Sequence, residues 1–208
     1  MNESLFFFHI FSILIFVYVA SLLGEKGLLI SFVLQVIMAN LFVTKEVLLF
    51  GFSVTCTDVF TIGSFIVLTL LQIRYGEKSA HQAIPLILYA FVFTAVFSQI
   101  HLMYTPAPYD TAHTSYLAIL SHSPRIFFSS LLISVATQYF HLFLLKKWTK
   151  PIFALLTSQL FDTVAFTLFA LYGVMHNLVH IVFISYLIKV LAIITMTPVI
   201  RYAKRLQV

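Results

Sequence analysis

Seven long apolar runs dominate the sequence, and they restrict the chain to a small set of folds. Each run approaches or exceeds the roughly 20 residues that a helix needs to cross the hydrocarbon core of a bilayer. The runs cover residues 5–23, 28–44, 53–73, 84–104, 125–145, 152–174 and 178–200. They lack the alternation of a transmembrane barrel, so long strands are not expected. The pattern predicts an all-α integral membrane protein.

The composition agrees with this fold class. Hydrophobic residues make up 61% of the 208 residues and charged residues only 9%, whereas about a quarter of a soluble domain is charged. The net charge of +5 does not predict nucleic-acid binding, because the basic residues lie at the ends of apolar runs and not in one patch. The single cysteine, Cys56, excludes a disulfide within the chain. No cofactor and no metal ion are predicted.

The boundaries of the first two runs need separate arguments. Residues 1–23 could form a signal peptide, but their first residues carry Glu3 and no Lys or Arg, and no small-residue cleavage site follows. We therefore expect a retained helix. The end of the second run is not marked by a change in composition, because the apolar sequence continues through Val47–Phe52 past the pair Lys45–Glu46.

The basic residues predict the orientation in the membrane. With seven crossings, one side receives nine Lys and Arg residues and the other side two, with Lys189 left inside a run. The side with nine carries Lys26, Arg74, Lys78, Lys146, Lys147, Lys150, Arg201, Lys204 and Arg205, and the other carries Lys45 and Arg125. The positive-inside rule then places the C-terminus in the cytoplasm and the N-terminus outside. The segment 105–124, which contains no Lys or Arg, is predicted to face outward as an ordered lid or surface loop.

Three ionisable residues lie well inside the apolar runs: Asp58, Asp162 and Lys189. Such residues cost about 2.5–3.5 kcal/mol at mid-bilayer on insertion scales, and they usually face a cavity or a partner. Counting from the turn near His176 at 1.5 Å per residue places Asp162 and Lys189 at nearly the same depth, close to the midplane. Their contact is therefore expected.

The same counting predicts one polar layer that extends from the midplane outward. Asn40 and Asp58 share a level in the outer half, because each lies nine residues from Leu49. The candidate substrate-binding residues are Asn40, Asp58, Gln99, Arg125, Ser129, Gln159, Asp162 and Lys189. The pairs Ser158 and Asp162, Arg125 and Ser129, and Ser185 and Lys189 are each four residues apart, which places each pair on one helix face.

Simpler interpretations stay open for several of these residues. Asp162 and Lys189 could be an ion pair that only fixes helix packing, and Gln138 and His141 could simply reach the membrane interface.

His176 and His180 have the spacing of a helical metal pair, but no further ligand accompanies them. The sequence contains no HExxH, GxSxG or phosphate-binding glycine motif, so no enzymatic activity is predicted. The Asp58 and Asp162 segments look alike, but chance explains so few matches.

An ordered set of short motifs resembles one known family. They are "NLFVTKEVLLFGFSVTCTDVFTIGSF" from residue 40, "RYGEK" at 74–78, "SPRIFF" at 123–128, "SQLFDTVAF" at 158–166 and "YLIKV" at 186–190. In order and spacing, from about residue 28 to the C-terminus, the chain resembles the queuosine precursor transporter family, also called the VUT family. The resemblance implies a six-helix transporter domain, residues 28–208, preceded by an additional transmembrane helix, residues 1–27. It also suggests kinship with the substrate-binding components of vitamin transporters.

The resemblance implies import of 7-deazaguanines such as queuine, preQ1 or preQ0 for tRNA modification, across the bacterial inner membrane. A carboxylate can accept the two adjacent donors of such a base, which gives Asp162 a role, with Lys189 keeping it ionised in the empty site. Asp58 could instead meet the amine of queuine or preQ1. The partners are a small molecule and the lipid bilayer, with the oligomeric state open. Two alternatives remain: a substrate-binding component of an ATP-energised complex, and a non-transporting membrane scaffold.

Overall fold

The computed structural model describes residues 1–43, 45–55, 57–120, 124–148, 150–172 and 178–205. Within these ranges the chain forms eight α-helices, one π-helical turn and one β-hairpin. The helices are α1 (Asn2–Leu22), α2 (Gly24–Leu41), α3 (Asp58–Tyr75), α4 (Glu77–Leu102), α5 (His113–Leu120), α6 (Pro124–Lys147), α7 (Pro151–Phe166) and α8 (Leu178–Arg205); the strands are β1 (Glu46–Leu49) and β2 (Phe52–Thr55).

Seven of the described helices are long and apolar enough to cross a membrane, and they coincide with the seven predicted runs. The chain is therefore an all-α multi-pass membrane protein. The helix ends differ from the predicted limits by several residues in places. The second helix begins already at Gly24 and ends at Leu41, while the fourth begins at Glu77 instead of residue 84.

The β-hairpin between α2 and α3 was not predicted. The sequence assigned residues 53–55 to the third helix, but they belong to β2, which pairs in antiparallel register with β1 from Glu46 opposite Thr55 to Leu49 opposite Phe52. The two turn residues, Phe50 and Gly51, have φ angles of 51° and 84°, and positive angles at both positions match the twist of a tight hairpin. This turn ends the apolar run that otherwise looks like a continued helix.

The N-terminus is held against the hairpin. Asn2 donates from Nδ2 to the carbonyl of Leu48 over 2.8 Å, and the backbone N–H of Phe50 donates to Oε1 of Glu3 over 3.1 Å. These contacts place the start of α1 and the hairpin at the same end of the helix bundle.

The opposite end of the bundle carries the short connections between α1 and α2 and between α3 and α4. There Arg74 donates to the carbonyl of Ser21 over 3.3 Å, and Lys146 forms an exposed ion pair with Glu77 at 3.2 Å. The nine Lys and Arg residues that the sequence assigned to one side of the membrane lie at or next to the helix ends on this side. The bundle therefore has a strongly basic end and a hairpin end.

Helix α3 occupies the centre of the bundle. It packs against α1, α2, α4, α6, α7 and α8, and an unbroken stretch from Ile62 to Leu71 is buried. A helix that is apolar around its whole circumference is expected to be buried on all sides. Small residues allow the close approach: a Cβ added at Gly63 would clash with the side-chain oxygen of Gln35 on α2.

Two local features lie near the hairpin end. The segment predicted as a lid or loop contains helix α5, whose start is capped by Asp110, because Oδ1 of this residue accepts the N–H groups of Ala112 and His113. Helix α7 continues into a π-helical turn, Thr167–Leu171. Such turns are rare and are frequent at functional sites.

Candidate functional site

Three of the predicted residues, Asp58, Asp162 and Lys189, form one buried charged cluster. The ammonium nitrogen of Lys189 lies 2.8 Å from Oδ2 of Asp162 and 3.9 Å from Oδ1 of Asp58. The side chains of Lys189, Asp58 and Asp162 are 6%, 8% and 16% exposed. The predicted contact between Asp162 and Lys189 is therefore present, and Asp58 lies near the same ammonium group.

Three different helices supply the cluster. Asp58 lies in the first turn of α3, at the end of the helix where the dipole favours a negative charge. Asp162 lies four residues before the end of α7, and Lys189 lies in the first half of α8. Because α8 packs against both α3 and α7, its lysine reaches the two carboxylates at once. An ion cluster at this position ties the central helix to the last two helices.

The remaining predicted residues fall into separate environments. Asn40 accepts at Oδ1 from the hydroxyl of Ser130 over 2.7 Å, which joins α2 to α6; the prediction named the neighbouring Ser129, which is half-buried. Gln159 is fully buried on α7, three residues before Asp162. Both polar atoms of its amide have no hydrogen-bond partner in the described part of the chain.

Gln99 does not lie with the others. It is exposed on α4 and donates to the carbonyl of Leu120 at the end of α5. Counting along a helix estimates depth but not the direction of a side chain, which is why the prediction included it. The side chains of Arg125 and His176 lie outside the described part of the structure. The ring of His180 lies 5.8 Å from that of Phe52.

A second buried polar group, centred on His141, was missed by the sequence interpretation. His141 is fully buried instead of reaching the interface. Its Nε2 lies 2.9 Å from the hydroxyl of Thr69 on α3, and its Nδ1 lies 3.1 Å from the hydroxyl of Ser158 on α7. Gln138, also assigned to the interface, is likewise buried.

The hydroxyls around His141 have further acceptors. The hydroxyl oxygen of Thr69 also lies 2.7 Å from the carbonyl oxygen of Phe65. The hydroxyl oxygen of Ser158 lies 3.1 Å from the carbonyl oxygen of Leu155. A neutral imidazole has one N–H group, and the two hydroxyls add two O–H groups. The ring N–H donates to one hydroxyl, which in turn donates to its carbonyl. The other hydroxyl donates to the ring nitrogen that carries no proton. Every donor is thereby used inside an apolar bundle, where an unpaired polar group is costly.

The two polar groups each contribute one contact between α6 and α7, and these contacts lie one helical turn apart. Thr137 lies one turn before His141 on α6, and its hydroxyl lies 3.5 Å from Oδ1 of Asp162, which is one turn beyond Ser158 on α7. Since the two helices run in opposite directions, the pairs Thr137 with Asp162 and His141 with Ser158 stack one above the other. The two polar residues on α6 are four apart, as are the two on α7. This matching spacing is the signal in the sequence from which the two contacts could have been predicted.

Comparison with known proteins identifies the family to which this chain is similar. Residues 55–203 match the family described as "Putative vitamin uptake transporter". The chain belongs to this family. The matched region contains Asp58, His141, Asp162 and Lys189, so both buried polar groups of the transporter lie within it.

A relative covers nearly the whole transporter. The "Probable queuosine precursor transporter" of Bacillus subtilis (strain 168) is 28% identical over 218 residues, which include 99% of this chain and 95% of the relative. No solved structure matches the chain.

Proposed function

We propose that this transporter imports queuosine precursors, the 7-deazaguanines used for tRNA modification, across the bacterial inner membrane. The observation that carries the proposal is the buried cluster of Asp58, Asp162 and Lys189. It lies inside the helix bundle of a chain that belongs to a transporter family. Charged residues inside a membrane protein mark substrate or ion pathways. The name of the Bacillus subtilis relative supports the substrate class.

Helix α7 offers the groups that a guanine-like base needs. Asp162 and Gln159 are three residues apart, so they project from neighbouring positions on the helix surface. A carboxylate accepts the ring N–H and the exocyclic amine together, and an amide N–H donates to the ring carbonyl. The amide of Gln159 has no described partner, and leaving such a group unpaired costs about 1–3 kcal/mol. A bound base would offset that cost.

The cluster is enclosed, so binding requires a change in the helix packing. The carboxylates and the ammonium are mostly buried, and the cluster joins α3, α7 and α8. A substrate that enters between Asp58 and the pair of Lys189 and Asp162 would change the packing of α3 against α7 and α8. This is the behaviour expected of a transporter, whose site must open to one side of the membrane and then to the other.

The orientation is part of the proposal. The basic end of the bundle faces the cytoplasm, and the hairpin end faces outward, in accordance with the positive-inside rule. The C-terminus is then cytoplasmic. The protein acts as a transporter and not as an enzyme. The division into an additional helix, residues 1–27, and a six-helix domain, residues 28–208, also stays a prediction.

The test is import into cells that cannot synthesise queuosine precursors. Expression of the chain should restore queuosine in tRNA when a 7-deazaguanine is supplied, and Asp162→Asn should abolish the effect at equal membrane insertion. Purified protein in liposomes should take up labelled substrate without ATP, which separates it from a component of an ATP-energised complex. Restoration by Asp162→Asn equal to that by the parent chain would make Asp162 a packing residue. No restoration by the inserted parent chain would support the scaffold alternative.

A further inference from the structure

The buried cluster has more acidic than basic groups. When Asp58, Asp162 and Lys189 are all ionised, the cluster carries one net negative charge. Among the described side chains, Lys189 is the one basic group that forms an ion pair with either carboxylate. An uncompensated charge in a low-dielectric interior costs free energy. The cluster therefore favours a ligand that brings one positive charge.

The two carboxylates are not equally engaged. Asp162 holds Lys189 in a 2.8 Å hydrogen bond and lies near Thr137. Asp58 lies 3.9 Å from Lys189 through Oδ1, and its Oδ2 is buried without a hydrogen-bond partner among the described residues. A ligand can therefore approach Asp58 without separating Lys189 from Asp162.

We propose that Asp58 binds a positively charged amine of the substrate and selects cationic 7-deazaguanines over neutral ones. This inference rests on the proposed function. The ammonium group donates to both oxygens of Asp58, completes the charge balance and leaves the pair of Lys189 and Asp162 intact. The position of Asp58 in the first turn of α3 stabilises the ionised carboxylate that such a contact requires.

The arrangement also divides recognition between two helices. Helix α7 reads the base through Asp162 and Gln159, and α3 reads the substituent through Asp58. Lys189 on α8 lies near both carboxylates. A 7-deazaguanine with an aminomethyl group at position 7 engages both helices, whereas one with a nitrile there engages α7 alone.

The experiment compares these two compounds in the same cells. Initial uptake of each labelled compound is measured with the parent chain, Asp58→Asn and Asp58→Glu, normalised to inserted protein. We expect the parent to prefer the amine. Asp58→Asn should lower amine uptake by a factor at least about ten times larger than its effect on nitrile uptake, since hydrogen bonds to charged groups are strong. Asp58→Glu should retain the preference for the amine.

The outcomes separate this inference from the proposed function. Uptake of neither compound by the inserted parent chain overturns the proposed function. Uptake of both, with equal loss in Asp58→Asn, overturns only the inference, because Asp58 then takes up a proton or contacts the base. If Asp58→Asn fails to insert, competition on the parent chain decides: unlabelled nitrile should compete weakly with labelled amine, and equal competition contradicts the selection.

Discussion

Lys189 and Asp162 form the shortest ion pair in the described part of the chain, with 2.8 Å between the ammonium nitrogen and Oδ2. They lie on the last two transmembrane helices, and Asp58 of the central helix approaches the same ammonium at 3.9 Å. One lysine therefore serves two carboxylates. Its removal has consequences different from those of removing either acid.

Lys189→Met should be the most destabilising change in the cluster. It leaves two carboxylates close together without a cation, and removing one partner of a buried ion pair costs about 3–5 kcal/mol in the free energy of unfolding. Asp162→Asn and Asp58→Asn each leave one acid with one base, so each should cost less. Thermal unfolding of the purified variants in detergent measures the order.

The double variant Lys189→Met with Asp162→Asn serves as the matched control. It retains a single carboxylate and should be more stable than Lys189→Met alone. A Lys189→Met protein that unfolds at the temperature of the parent would show that the three charges do not stabilise the bundle.

His141→Ala should lower stability by about 1–3 kcal/mol, because it removes two buried hydrogen bonds that connect α6 to α3 and α7. Ser158→Ala and Thr69→Val should each cost less, since each removes one of the two bonds. Ser12→Ala is a suitable control, because the hydrogen bond of Ser12 among the described residues stays within its own helix, to the carbonyl of Phe8. The unfolding midpoint measures all four, and a loss for Ser12→Ala equal to that for His141→Ala would contradict the prediction.

Gly63→Ala should destabilise the contact between α2 and α3. The added methyl group would clash with the side-chain oxygen of Gln35 and lie 2.7 Å from Cγ2 of Ile13. Overpacking of this kind costs about 1–3 kcal/mol. Shortening the neighbour in the double variant Gly63→Ala with Gln35→Ala should recover part of the loss, as a double-mutant cycle would show. Strict additivity of the two changes would exclude this contact as the cause.

The orientation predicts the results of reporter fusions. A reporter after Val208 should be cytoplasmic, and a tag within residues 105–112 should be accessible from outside. A tag before Met1 should report the same side as the tag in the loop, because the N-terminus is bonded to the hairpin. A cytoplasmic loop tag would reverse the orientation, and opposite sides for the two tags would contradict the seven crossings.

The crossings were predictable because a helix in lipid must satisfy its own backbone and be apolar for about 20 residues. The hairpin was not, because Val47–Phe52 is as apolar as a helix and its turn depends on a positive φ at Phe50, which this residue rarely adopts. Local composition does not reveal such a turn.

The site was predictable only in part, for a geometric reason. Depth follows from counting residues, and it placed Asp162 opposite Lys189 correctly. The direction of a side chain depends on how neighbouring helices rotate and pack, which is why Gln99 was included and His141 was assigned to the interface. The partners of His141 come from α3 and α7, and no pattern on α6 alone identifies them.

The π-helical turn at Thr167–Leu171 stores one residue more than an α-helical turn, because its hydrogen bonds skip one position further along the chain. That surplus can move along a helix while both ends stay where they are. If it passed Asp162 toward the start of α7, the carboxylate would swing about 100° around the helix axis. In such a shift it would leave Lys189 and face a different neighbour, although α7 as a whole would not slide through the membrane.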